Sequence, residues 1–61
     1  MTLDEARAHI GDGVVYRPPH GVVEDGVITS VGDRFVFARY GTDTHSKATD
    51  PAFLTLLGEA T

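Results

Sequence analysis

Few groups in this 61-residue chain could make or break a covalent bond. His9, His20 and His45 are the only imidazoles, and they fall on three separate segments with no pair four residues apart. A zinc ion needs several ligands converging on one point, so three scattered histidines read as exposed polar residues and no metal is expected. Cysteine is absent, which excludes both Cys-based zinc sites and the disulfide frameworks that commonly staple very small domains. Glu24 and Asp25 are adjacent carboxylates, read as a solvated turn beside Gly26 and not as an acid/base pair. Ser30 and Ser46 lack the sharp elbow that presents a serine nucleophile. Gly11-Asp12-Gly13 leads into a β-type segment, whereas a phosphate-cradling loop opens a helix. The residue types point away from an enzyme and call for no cofactor.

What remains is the chemistry of recognition. In the run Arg34-Phe35-Val36-Phe37-Ala38-Arg39-Tyr40, side chains of a strand alternate between two faces, and here both faces are apolar. Phe35 and Phe37 share one with Arg39, while Val36, Ala38 and Tyr40 share the other. Aromatic area with a guanidinium beside it is a composition typical of interface anchors. The candidate partner-binding residues are therefore Tyr16, Arg34, Phe35, Phe37, Arg39 and Tyr40, with Phe35, Phe37 or Tyr40 desolvated and Arg34 or Arg39 setting orientation. A small closed sheet has only one inside, and the sequence alone leaves open which face of this strand is the core. Either an N-terminal helix covers the outer face through Leu3, Ala6 and Ile10, or some of that face stays exposed and receives a partner.

The elements that must hold this strand are legible in turn chemistry. A chain of this length hides only about 60% of the surface its unfolded form exposes, so 1–61 is expected to be one domain. Thr2-Leu3-Asp4-Glu5 has the form of a capping box, predicting a helix over 2–10 that Gly11 ends. From Gly13 the composition shifts to β-branched and aromatic residues between turn formers. Strands are expected at 13–17, from about Val23 to Val31 with a bulge or close backbone approach at Gly26, at 34–40, at 45–49 and at 55–57. Pro18-Pro19-His20-Gly21 breaks the first from the second. Gly32-Asp33 suits a two-residue type II′ hairpin, and Lys47 suits a polar edge strand. Asp50-Pro51 predicts one tight helical turn over 51–54, and 58–61 is expected to fray. The layout is mainly β, a small SH3-like barrel of about five antiparallel strands over 13–57.

Two resemblances bear on function. Gly11-Asp12 before a strand and Gly26-Val27-Ile28 after a loop resemble the small barrels of the KOW group, which implies binding to RNA or ribonucleoprotein. Arg39-Tyr40-Gly41 after an aromatic strand resembles the Tudor group, which implies an aromatic cage for a modified cation among Tyr16, Phe35, Phe37 and Tyr40. The chain is also similar over nearly its whole length to short uncharacterised proteins of actinobacterial phages, through Lys47-Ala48-Thr49-Asp50-Pro51 and Leu54-Thr55-Leu56-Leu57 among other runs. That resemblance implies a phage-encoded protein made in the cytoplasm of an infected bacterium.

Charge weighs between these readings. Five Lys and Arg stand against nine Asp and Glu, a formal net charge of −4. Arg17, Arg34 and Arg39, with Tyr16 as a stacking surface, make a weak footprint for phosphates. No apolar stretch approaches the roughly 20 residues of a membrane span, and no secretory signal opens the chain. The expectation is a non-catalytic protein-interaction module that binds a host protein, a phage protein or a second copy of itself. A KOW-like RNA-binding domain and a small virion subunit are the alternatives.

Overall fold

A computed structural model describes residues 1–57; the tail expected to fray, 58–61, lies outside the described residues. Helix α1, Leu3–Ala8, begins as the capping box requires. The Glu5 amide donates to the Thr2 hydroxyl and the Thr2 amide donates to the Glu5 carboxylate, each at 3.1 Å. The helix ends two residues earlier than the apolar spacing predicts. Gly11 takes a φ of 94° and its amide donates to the Ile28 carbonyl at 2.8 Å, so the chain turns into the sheet before Ile10 completes the stripe. Ile10 is 53% exposed, whereas Ala6 is fully buried and Leu3 packs on the core.

Five antiparallel strands follow: β1 Gly13–Tyr16, β2 Glu24–Val31, β3 Val36–Tyr40, β4 Lys47–Thr49 and β5 Leu54–Leu56. They form one open sheet in the order β4-β3-β2-β1-β5, with the two shortest strands at its edges. A single 3-10 turn, Pro51–Phe53, precedes β5, and the Asp50 carboxylate caps it by accepting from the Ala52 amide at 2.9 Å. The Met1 amino group donates to the carbonyls of Pro51 and Leu54, tying the start of the chain to this turn. Among the described residues no helix is long and apolar enough to cross a membrane.

Two features of the β2–β3 pair differ from expectation. The bulge lies at Thr29, since Ile28 pairs with Ala38 and Ser30 with Phe37, while at Gly26 the other alternative, a close backbone approach, holds: a Cβ there would stand 2.9 Å from the Arg39 carbonyl oxygen. The Thr29 hydroxyl donates to the Phe37 carbonyl at 3.0 Å and occupies the gap. Because faces alternate along a strand, the extra residue lets Ile28 and Val31, three positions apart, both reach the core. Gly26 meanwhile stays in register, opposite Val14 on one side and Tyr40 on the other. The connection also widens: Val31 pairs with Val36, leaving a four-residue loop of 32–35 in which the Gly32 amide donates to the Phe35 carbonyl at 2.9 Å. A type II′ turn requires a positive φ at Gly32, and among the described residues only Gly11, Gly21 and Gly41 have one. Arg34 and Phe35 are thus loop residues and not the start of the strand.

The core settles the two-faced strand. Ala6, Val14, Ile28, Val36, Ala38, Tyr40, Leu54 and Leu56 form one buried cluster, edged by Met1, Leu3, Tyr16 and Val31. Helix α1 packs over this same side, chiefly against β2. Val36, Ala38 and Tyr40 are the inner face, and the helix leaves the Phe37 and Arg39 side uncovered.

Candidate functional site

The outer side of the sheet is built by strand parity. On β1 and β2 the core takes Val14, Gly26 and Ile28, so Val15, Asp25 and Val27 point the other way. Val27 lies directly opposite Arg39 on β3, and Phe37 is two residues further along the same strand. Gly13, Asp25, Val27, Arg39 and Leu57 line one shallow concavity on this side. Its bottom is low because Gly13 has no side chain and Leu57 folds across it, with a methyl group 2.6 Å from where a Cβ would stand. The Phe37 ring reaches over the neighbouring loop, 3.1 Å from the equivalent point on Gly32.

The six candidate residues separate into two groups. Phe37 and Arg39 share the outer face, half-buried and exposed respectively, and Phe35, 45% exposed, stands with exposed Arg34 in the loop leading to it. Tyr40 does not belong with them. It is 4% exposed, its hydroxyl is 2.6 Å from that of Thr49, and its ring meets Tyr16 at a centroid distance of 5.8 Å. A partner cannot desolvate a ring the core has already taken from water. Tyr16 is half-buried at the margin of the same core. A cage of Tyr16, Phe35, Phe37 and Tyr40 is therefore ruled out by alternation, since two members lie inside and Phe37 lies outside.

Sequence reasoning missed Asp25, Val27 and Leu57 as members of the outer face. For the first two the signal was there: once β2 and β3 are aligned, the residue facing Arg39 is Val27. Leu57 carried no signal, because its position depends on how the chain leaves β5.

Among the described residues the ion pairs are Arg7 with Asp4 at 2.8 Å, His9 with Asp12 at 2.8 Å and Lys47 with Asp43 at 3.4 Å. Arg17, Arg34 and Arg39 enter none of them and occupy three different places: the segment just after β1, the 32–35 loop and β3. A second concavity, between Glu24, Asp25, Tyr40 and the Gly41-Thr42-Asp43 turn, is acidic. No group of His, Asp or Glu side chains among the described residues is arranged to hold a metal ion.

Burial also acts on Tyr40. Loss of hydration raises its pKa above the ordinary 10.0, and the hydrogen bond with Thr49 opposes the rise without cancelling it. The folded chain therefore keeps the phenolic proton to a higher pH than the unfolded chain does. This contribution to stability is intact below pH 10.0 and is lost as pH climbs through the folded-state pKa. Tyr40→Phe should cost about 1 kcal/mol at neutral pH, through the Thr49 hydroxyl it leaves behind, and should flatten the alkaline fall. Melting temperatures of both proteins between about pH 8 and 11 would test this; parallel curves would contradict it.

No protein family matches the chain, no curated protein is significantly similar to it, and no solved structure matches its fold.

Proposed function

We propose that this protein is a non-catalytic interaction module that binds another protein through the outer face of its sheet. One observation supports this reading: helix α1 packs on the inner face and leaves half-buried Val27 and Phe37, exposed Leu57 and exposed Arg39 on the other, with Arg39 in no ion pair among the described residues. Apolar area gives such a contact its driving force, and a guanidinium beside it gives it direction through charge-assisted hydrogen bonds. On its resemblance to phage proteins, the chain would meet its partner inside an infected bacterium.

Phe37→Ala is the discriminating variant. Because the ring is only half-buried and lies outside the core cluster, its loss should lower stability by about 1 kcal/mol, well short of the roughly 3–5 kcal/mol typical of a core phenylalanine. Complex formation by the folded variant should fall at least tenfold. The binding should also change little between about 50 and 500 mM salt, whereas a phosphate-binding surface releases counterions and weakens steeply. Equal binding by Phe37→Ala, or a steep salt dependence, would refute the reading.

A further inference from the structure

The outer face carries its own complement. Asp25 and Arg39 are diagonal neighbours across β2 and β3, placed by the direct pairing of Val27 with Arg39. Both line the same concavity and both are exposed, yet neither enters an ion pair among the described residues. Half-buried Val27 adjoins both, directly opposite Arg39 and two residues along β2 from Asp25, and Leu57 lines the same concavity. A foreign partner would have to bring the reverse arrangement, an acid and a base beside an apolar patch at matching separation. A second copy of this chain brings it by symmetry.

We infer that two copies associate face to face through this surface, about a two-fold axis running in the plane of contact between Asp25 and Arg39. That axis sets Arg39 of each copy against Asp25 of the other and closes Val27 and Leu57 from both sides. The inference rests on the outer face being the interaction surface, and it names the occupant. A standard interface takes about 800 Å² from each partner, roughly a fifth of the 4019 Å² this protein exposes. Three or four short strands offer less, so the dimer should be weak and reversible. Each copy also carries a formal charge of −4, and that long-range repulsion is screened at about 150 mM salt, where the Debye length is about 8 Å.

The geometry dictates an asymmetric test. In Asp25→Arg, the introduced arginine meets Arg39 of its twin, and in Arg39→Asp the introduced aspartate meets Asp25. Each single variant should therefore remain monomeric. Mixed in equal amounts, the two chains place an acid opposite a base at both contacts and should form a heterodimer. Sedimentation equilibrium from about 10 µM to 1 mM reads all three cases. The unaltered protein should approach twice its monomer mass at the top of the range, the single variants should stay at the monomer mass, and the mixture should recover the doubling. Circular dichroism of each variant confirms that the fold persists. A strictly monomeric parent chain at 1 mM, a dimer that ignores both reversals, or a mixture that fails to associate would each overturn the inference. If the parent stays monomeric while Phe37→Ala still abolishes binding to another protein, the outer face remains the interaction surface and its occupant is foreign.

Discussion

Gly26→Val should leave the chain largely unfolded at 25 °C. A Cβ at this position would stand 2.6 and 2.8 Å from two atoms of the Tyr40 ring and 2.9 Å from the Arg39 carbonyl oxygen. The ring belongs to a buried residue and the oxygen to the backbone of a central strand, so neither can give way cheaply. Overpacking typically costs about 1–3 kcal/mol, and here the added atoms meet two obstacles at once. At roughly 0.05–0.15 kcal/mol per residue, a 61-residue domain holds only about 3–9 kcal/mol in all. Gly13→Ala provides the control. There the nearest atom is the far end of the flexible Leu57 side chain, which can swing aside, so the loss should be small. Urea denaturation followed by far-ultraviolet circular dichroism would rank the two, and equal midpoints would show that the close approach at Gly26 is unimportant.

Tyr40→Ala should remove about 3–5 kcal/mol, the usual range for truncating a buried aromatic residue, and bring the domain to the edge of unfolding. The ring covers Gly26, leans on Tyr16 at an interplanar angle of 43° and, through its hydroxyl, holds Thr49 of the edge strand β4. Its loss therefore opens a cavity and leaves the buried Thr49 hydroxyl with only its long hydrogen bond, 3.4 Å, to the Lys47 carbonyl. Combined with Gly26→Ala in one chain, the two costs should sum to more than the double variant loses, because removing the ring vacates space that the new Cβ needs. A variant that melts within a few degrees of the parent would mean that Tyr40 is not part of the core.

How much of this was readable in advance follows from the range of the interactions involved. The capping box at Thr2 and the Asp50-Pro51 turn are decided within four residues, and both form where the sequence places them. The number and order of strands follow from β-branched runs between turn formers, and they too are as expected apart from ends that shift by one or two residues. The inner face of β3 was not readable, because both faces are apolar. The tie is broken across strands: only opposite Gly26 is there room for a ring, and that requires knowing that Gly26 aligns with Tyr40. The bulge has the same cause. Thr29 carries no intrinsic signal, and its displacement answers the demand that Ile28 and Val31 reach one core. For the candidate site, alternation alone put Phe37 and Arg39 on one face without saying that this face was the outer one, and the alignment of Gly26 with Tyr40 is what places Tyr16 and Tyr40 on the inner side.

The brevity of β4 and β5 bears on how such a molecule behaves when crowded. Each rim of the sheet is three residues long, and one of them carries Lys47. A strand arriving from solution would find too short a template to dock on, which denies the protein a route into stacked, fibre-like growth. Contact across the flat of the sheet about a two-fold axis uses itself up once two molecules have met. On the pairing proposed above, association would stop at two molecules, and the stubby rims would offer no start for an endless polymer.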